Sequence, residues 1–403
     1  MSTPKRVPKG NGLLPPALAK RFAMLSYVVA ALGVALGVGG FLTNKERFGY
    51  SYLVGFIVTM TISVGALFFV VIQHLTKSSW SVAPRRTLEW ISQGATALPA
   101  LFIPLVALAP TIWNKWMGPE ALEDTLVKAK SAYLNKGFFF TRAAVFLLVW
   151  AALAHFFYKN SRDQDLTGDR KHSTRLQTFA APATALLGLS ITFAGFDWVM
   201  SLSPHWYSTI FGVYIFAGSI ITALAVLAIV VVRYRQHNVG GDLLTVEHQH
   251  DVGKFLFGFV IFWAYIGFSQ FILIFYANIP EETIFYRVRW QGGWDVVSLS
   301  LLFGHFVVPF LLLLSRTAKR TNLLALGAAI IIVMHVVDVY WMVMPNLTKG
   351  EEHSKFAFSW IDLGGLLAPV GLAMAWVSYR VLGDPAYPLK DPYTAEALKA
   401  ENL

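Results

Sequence analysis

Long runs of apolar residues, separated by short polar segments, dominate this chain. Ten of them approach the length of about 20 residues that an α-helix needs to cross a bilayer. They predict spans one to ten at 22–42, 50–75, 88–109, 137–158, 176–202, 204–232, 254–279, 295–315, 322–344 and 358–382. Backbone amides in lipid must be paired within the protein, which leaves helices or a closed barrel, and runs this long and continuous indicate helices.

The predicted fold is an all-α polytopic membrane protein without a soluble domain. Residues 1–21 form a basic leader, 22–382 the ten-helix membrane domain, and 383–403 a polar, proline-bearing, extended tail. Spans two to five and six to nine could form two four-helix bundles of similar shape, with spans one and ten as additional helices. Gly33 and Gly37 have the GxxxG spacing that allows close contact between helices.

Two connections between spans carry readable signals. Segment 111–136 is the longest, and its apolar residues predict a short amphipathic helix on the outer surface; they are Leu122, Leu126, Ala129 and Ala132. In "FDWVMSLSPHWYSTIF", Ser203 is suited as an N-cap and Pro204 as the first residue of the next helix. Spans five and six should therefore be joined by almost no loop, with Trp198, Trp206 and Tyr207 as interfacial anchors.

Composition and charge agree with this assignment and add an orientation. The 403 residues are 56% hydrophobic and 14% charged, with a mean hydropathy of +0.54. The net charge of +10 reports membrane orientation and not a nucleic-acid partner. If Lys254 and Arg380 are counted with the ends of their spans, 22 Lys and Arg residues lie on the side of the N-terminus and 10 on the other. Both termini are therefore predicted to be cytoplasmic.

The sequence contains no cysteine. Iron-sulfur clusters and c-type haem attachment both normally require cysteine thiols, so any such centres would lie in partner subunits. No covalently bound cofactor and no metal site is expected in this chain. Walker, HExxH and GxSxG motifs are also absent, which leaves nucleotide hydrolysis and familiar hydrolase mechanisms without support.

Ionisable residues inside spans are expensive and by default indicate function. The predicted topology places Asp197, His335, Asp338 and Asp362 in the outer half of the membrane and His305 near the midplane. Glu89, His74, His155 and Lys254 lie at or near the inner edge. The proton-path candidates are Asp197, His305, His335, Asp338, Asp362, His74, His155 and Glu89.

The pair His335 and Asp338 carries the most weight, because a spacing of three puts both residues on one helical face within hydrogen-bonding reach. Such a pair can relay protons or deprotonate a quinol; alternatively, it holds two helices together as a buried polar pair. Asp197 is either the mouth of a proton exit path or the partner of Arg142 on span four. His305 is a proton-path group or an ordinary core histidine.

The remaining polar candidates are less specific. Tyr265, Ser269 and Gln270 in "FWAYIGFSQF" either line a hydrated path or quinol site on span seven or bridge helices. His205 is a fourth candidate for such a quinol site or polar lining. His74 and His155 are either proton-path groups or interfacial residues at inner helix ends. Haem b between His305 and His335 is conceivable, but no characteristic spacing supports it.

Two stretches resemble a known family: "FDWVMSLSPHWYSTIFGVYIFAG" at 196–218 and "FWAYIGFSQFILIFYANIPEETIFY" at 262–286. Both are similar to the ActF subunits of alternative complex III, which are NrfD-like (polysulfide-reductase-type) membrane proteins. Length, ten spans, the polar N-terminus and the absence of cysteine fit as well. Within these stretches the titratable positions are Asp197, His205, Glu281 and Glu282, and their polar neighbours are Tyr207, Tyr265 and Gln270.

The resemblance implies a subunit of a respiratory quinol:cytochrome c oxidoreductase in the bacterial cytoplasmic membrane. Its implied partners are an ActC-like membrane subunit and extracytoplasmic subunits that carry iron-sulfur clusters and c-type haems. Quinol oxidation, with quinone or menaquinone as the ligand, is usually assigned to ActC. ActF-type subunits are thought to contribute to proton movement. No defined quinol-binding pattern of the family aligns with His335 or Asp338.

Three functions follow as hypotheses. The first is a subunit that couples electron transfer to proton translocation and is not catalytic alone. The second is a quinol-oxidising subunit in which His335 or His305 accepts a quinol proton near the outer face. The third is a secondary transporter, although its usual mark, an inverted repeat with broken midplane helices, is not visible in the sequence.

Overall fold

A computed structural model describes residues 11–347 and 355–399 of the chain. These residues form helices and connecting turns, and no β-strand occurs among them. Part of the basic leader, residues 348–354 and the last four residues of the tail lie outside the described residues.

Ten helices in this part of the chain are long and apolar enough to cross a membrane, which confirms the predicted number of spans. We number them α1 Pro16–Thr43, α2 Lys45–Leu75, α3 Val82–Ile112, α4 Lys136–Thr167, α5 Arg170–Leu202, α6 Phe211–Gln236, α7 Gly241–Ala277, α8 Trp294–Leu313, α9 Leu323–Asn346 and α10 Trp360–Val381. Shorter surface helices include Pro280–Val288, Arg316–Arg320 and Thr394–Ala397.

Two helices, α2 and α6, form the centre of the bundle. Their most apolar 18-residue windows are 83% and 78% buried, against 22% for α1. α2 contacts α3, α5, α6, α9 and α10, while α6 also contacts α5, α7 and α9. A Cβ atom at Gly65 would lie 2.1 Å from the carbonyl oxygen of Ser219, so the glycine allows the backbones of α2 and α6 to touch.

The first and last spans pack against each other. α1 has its largest contact with α10, and α10 in turn packs on α2. A Cβ atom at Gly33 would lie 2.4 Å from the carbonyl carbon of Leu367, which confirms that the predicted GxxxG segment is a helix contact.

The two ends of the described chain meet on one face of the bundle. The amide of Ala386 donates a hydrogen bond of 2.8 Å to the carbonyl oxygen of Gly12. We call this end of the bundle the terminal face and the opposite end the distal face. Residues 383–399 are not the extended tail that the sequence predicts, because Ala386 and Ala397 are buried and the amide of Leu389 donates to Asp165 at 2.8 Å.

The turn after α5 differs from its prediction. α6 begins at Phe211, so the helix start predicted at Pro204 is wrong. The hydroxyl of Ser203 donates to the side chain of Asn346 at 2.7 Å instead of capping a helix. Trp206 stacks on Phe285 with ring centroids 4.0 Å apart, and this packing folds residues 203–210 into a loop.

Two of the three predicted interfacial anchors are also wrong. Trp198 and Trp206 are buried inside the protein, where Trp198 contacts the rings of Phe56 and Phe102. Only Tyr207 is exposed.

The outer segment 111–136 is broken into short helices and not one amphipathic helix. They are Asn114–Met117, Pro119–Leu122 and Thr125–Ala129. Asp124 interrupts the predicted pattern because its carboxylate caps the last of them, accepting from the amides of Leu126 and Val127 at 2.9 and 3.1 Å.

Candidate functional site

Asp338 is a carboxyl group in the middle of the bundle. It lies on α9, is 1% exposed, and accepts hydrogen bonds from the hydroxyl of Tyr214 on α6 at 2.6 Å and the indole of Trp263 on α7 at 3.2 Å. No lysine or arginine contacts it in the part of the chain that the structure describes. A carboxylate removed from water and held by neutral donors alone is costly to keep charged, which makes Asp338 a candidate for binding and releasing a proton.

His335 lies one turn before Asp338 and is also buried. Its Nε2 atom is 2.8 Å from the hydroxyl of Thr61 on α2, while its Nδ1 atom has no hydrogen-bond partner. The predicted hydrogen bond between His335 and Asp338 is therefore wrong, because each side chain bonds to a different neighbouring helix. The spacing of three does place both on the buried face of α9, as predicted.

His305 completes the group from α8. Its ring centroid lies 4.0 Å from that of Trp263 and 6.4 Å from that of His335, and neither of its ring nitrogens has a hydrogen-bond partner. We call Tyr214, Trp263, His305, His335 and Asp338 the buried proton cluster.

The backbone around His305 is a π-helix, Leu301–Val307, inside α8. Such wide turns occur frequently at functional sites. Pro309 follows His305 by four residues and has no amide hydrogen to donate to the His305 carbonyl, which gives a local reason for the wide turn. Pro309 was the sequence signal for this wide turn. No sequence signal identified Tyr214, Trp263 or Thr61 as neighbours of the site.

The two histidines do not fit a haem. Two axial histidines would have to face each other across a porphyrin. Here the ring of Trp263 packs on His305, and Thr61 occupies the Nε2 atom of His335. Among the described residues, no three His, Asp or Glu side chains come together as a candidate metal site.

Asp197 pairs with Arg142, as one of the two interpretations predicted. The guanidinium Nε and Nη2 atoms contact the two carboxylate oxygens at 2.7 and 2.8 Å. The guanidinium also lies on the rings of Tyr133 and Phe138, 3.9 and 4.1 Å from their centroids. The pair joins α4 to α5 near the distal face and gives Asp197 a structural reason to be there; a proton-path role stays a prediction.

Asp362 is the most heavily bonded candidate. It accepts from Arg47 at 2.9 and 2.6 Å, Ser51 at 2.6 Å, Tyr340 at 3.0 Å and the amide of Ser359 at 2.9 Å. These bonds tie the start of α10 to α2 and α9. They favour a structural role for Asp362 over proton transfer, because nearly all its acceptor capacity is used.

Glu89 belongs to an ion cluster at the terminal face that the sequence analysis did not predict. Its carboxylate oxygens are 2.9 Å from Nε of Arg86 and 3.3 Å from Nε of Arg85. Arg86 also contacts Asp165 at 2.8 Å, and Arg85 pairs with Asp391 of the tail. We call these five residues the Glu89 ion cluster; all five are buried.

The tail should depend on Asp391. We expect Asp391→Asn to make chymotrypsin cleavage after Tyr393 roughly tenfold faster, because a hydrogen-bonded ion pair that holds the tail closed is lost. Gel electrophoresis or mass spectrometry of a digestion time course measures this rate. Glu396→Gln is the matched control, since Glu396 is exposed on the same segment. Equal cleavage of both variants would contradict the proposed clamp.

His74 and His155 lie apart from the buried proton cluster. His74 is buried near Phe157, with ring centroids 5.7 Å apart, and its Nε2 atom has no hydrogen-bond partner. His155 is exposed on α4, with its Nδ1 atom 3.3 Å from the guanidinium of Arg380. The interfacial interpretation therefore suits His155 better than His74.

The three candidates on α7 do not share a path. Tyr265 is 64% exposed on the outside of the bundle, so it cannot line an interior route in this structure. Ser269 is half-buried. Gln270 is buried and bridges the hydroxyls of Tyr286 at 3.1 Å and Ser208 at 3.4 Å.

The distal surface holds His205 and the two glutamates of the resemblance. His205 contacts the carboxylate of Asp124 at 2.5 Å. The amide of Val127, followed by the His205 ring, holds the pKa of Asp124 below its ordinary value. Glu281 and Glu282 lie in the first turn of the surface helix Pro280–Val288, where the helix dipole favours negative charge.

Arg289 is a buried cation that sequence reasoning missed. It donates to the carbonyl oxygens of Phe285, Trp341 and Met342 at 2.7, 3.1 and 2.9 Å. Burial lowers its pKa to about 9, so it remains charged at neutral pH. Its contacts fix the surface helix Pro280–Val288 to the end of α9.

No family model matches the chain, and no curated protein matches it either. The resemblance of 196–218 and 262–286 to ActF subunits therefore stays an expectation.

Proposed function

We propose that the chain is a membrane subunit of a respiratory quinol:electron-acceptor oxidoreductase of the alternative complex III type. It contributes to proton translocation and carries no redox centre of its own. The observation that carries the proposal is Asp338, which is buried, bonded to α6 and α7 by neutral donors without a contacting cation among the described residues, and close to two histidines that keep unbonded ring nitrogens.

The cluster has the components of a proton relay. Tyr214 and Trp263 donate to Asp338, and the ring of Trp263 also contacts His305. His305 in turn contacts His335. Carboxyl, hydroxyl and imidazole groups can all exchange protons, and their contacts join α6, α7, α8 and α9 at one level.

A second feature gives access from the terminal face. A cavity of about 300 Å³ lies between α2, α6 and α7, and its wall includes Gln73, Ser78 and Ile220. The Gln73 carbonyl and the Ser78 hydroxyl are buried there without hydrogen-bond partners, as sites for ordered water would be. On α2, the wall residue Phe68 lies seven residues from Thr61, the partner of His335, which is about 10 Å along the helix. Water in this cavity would therefore stop about two helical turns from the cluster.

The inferred orientation makes the terminal face the side from which protons are taken up. The terminal face carries the excess of Lys and Arg, so we assign it to the bacterial cytoplasm and the distal face to the exterior. Electrons would pass through c-type haems and iron-sulfur clusters of extracytoplasmic partners beside an ActC-like subunit. The helix contacts, with α2–α5 and α6–α9 as two groups and α1 paired with α10, are consistent with the NrfD-like arrangement.

Quinol oxidation by this chain is the alternative function. It needs open space for a quinone ring beside His335 or His305. Trp263 packs directly on His305, and Thr61 binds His335. Because neighbouring side chains occupy these positions beside both histidines, this alternative has less support. A quinone density between α8 and α9 would establish it.

The test is a visible spectrum of the affinity-purified chain. The proposal expects absorption bands of c-type haem, together with iron, in stoichiometric amount, because partners carry the redox centres and this chain has no cysteine. A related membrane subunit purified through an unrelated tag serves as the control for contamination. A chain that purifies alone, colourless and stable, would instead favour the secondary transporter.

A further inference from the structure

The larger of the two described cavities lies away from the buried proton cluster. It has a volume of about 540 Å³ between α1, α2, α3, α6 and α10. This is within the range of about 300–1,000 Å³ typical of ligand pockets. Its wall is almost entirely aliphatic and aromatic, with members such as Phe22, Ile62, Ile229, Met374 and Val377.

The cavity spans one leaflet. On α10 its wall runs from Val370 to Val381, which is about 16 Å of helix at 1.5 Å per residue. Half of a bilayer's hydrocarbon core is about 15 Å thick. The cavity extends from Arg233 at the terminal face to Ile332 of α9, close to the middle of the membrane. Leu25 in the wall is exposed, so surrounding lipid can enter.

The mouth of the cavity is basic. Arg233 of α6 belongs to its wall, is exposed, and has as its partner only Gln236, at 3.1 Å, among the described residues. Arg21 lies on α1 between the wall residues Leu18 and Leu25, and it too has no ion pair in the described ranges. A pocket between helices with basic residues at its cytoplasmic mouth is the arrangement that binds anionic lipid headgroups.

We propose that this cavity is a binding site for one anionic phospholipid, with an acyl chain between α1 and α6 and the phosphate at Arg233. The apolar wall favours a lipid chain over a quinone headgroup, which needs several aimed polar groups. Thr59 at the deep end is already committed, because its hydroxyl donates to the carbonyl of Gly55 at 2.8 Å. The site pins α1 to the bundle, where α1 otherwise depends mainly on α10. It is independent of the respiratory role.

The experiment extracts the full-length chain with its partners in native nanodiscs, delipidates it in mild detergent and quantifies retained lipid and quinone by mass spectrometry. The chain should retain about one phosphatidylglycerol-type lipid. Arg233→Gln should lower retention about fivefold, because one basic contact at a membrane surface is lost. Arg175→Gln, which changes an exposed arginine of α5, should not.

A second variant tests the cavity itself. Ile229→Trp fills the wall of the pocket and should expel the lipid, whereas Leu148→Trp on the exposed face of α4 should leave it bound. Retention that is equal in all four variants would overturn the site. Recovery of quinone in place of phospholipid, lost in Ile229→Trp alone, would overturn the choice of ligand. Readdition of phosphatidylcholine should not restore the bound state, but phosphatidylglycerol should.

Discussion

Asp338→Asn in the assembled complex should lower the number of protons translocated per electron while leaving the rate of quinol oxidation near its original value. Asparagine keeps the shape: its Oδ1 atom can accept from the indole of Trp263 while its Nδ2 atom donates to the hydroxyl of Tyr214, so the packing survives. It cannot release a proton. The whole contribution of this chain to the ratio should be lost. The protons that remain should be those released by quinol chemistry in the partner subunit.

The ratio is measured from acidification by proteoliposomes that contain the complex, with an uncoupler added to define the baseline. Asp163→Asn is the control, because it makes the same chemical change on α4 at the terminal face, away from the cluster. An unchanged ratio in Asp338→Asn removes Asp338 from the proton path. Loss of quinol oxidation together with the ratio favours the quinol-oxidising alternative.

The ten spans could be predicted because each depends on one local property, an apolar run of sufficient length. The depth of titratable residues follows from the same pattern, so Asp338 and His335 could be selected. The direction in which a side chain faces around its helix axis could not be predicted from this pattern. Tyr265 and Gln270 are five residues apart, which turns them about 140° from each other around α7. One faces outward and the other inward, so a shared path was excluded by geometry.

The partners of the candidates lie far away in sequence, and no pattern connects them. Asp338 bonds to Tyr214, 124 residues before it. Arg85 pairs with Asp391, 306 residues later, although the spacing of Arg85, Arg86 and Glu89 on one helix was a readable signal for part of the Glu89 ion cluster. The turn at Ser203 and Pro204 failed as a prediction for the same reason, since the stacking of Trp206 on Phe285 outweighs a local capping preference.

Arg142→Met should be among the most destabilising single substitutions on the distal side. It leaves the carboxylate of Asp197 buried without its bidentate partner, and breaking a buried ion pair in this way costs about 3–5 kcal/mol. Scanning fluorimetry of the purified complex in detergent should show a lower melting temperature. The double variant Arg142→Met with Asp197→Leu should recover most of the loss, because no charge is then left unpaired.

The opposite single variant separates the two interpretations of Asp197. Asp197→Asn leaves Arg142 on the rings of Tyr133 and Phe138 and in contact with the Tyr133 carbonyl at 3.2 Å, near the bundle edge. It should therefore destabilise the complex less than Arg142→Met does. If Asp197 acts only as the partner of Arg142, the proton-to-electron ratio of the folded variant stays unchanged. A reduced ratio at an unchanged melting temperature assigns Asp197 to proton exit, because an ion pair that merely joins α4 to α5 has no reason to change proton release.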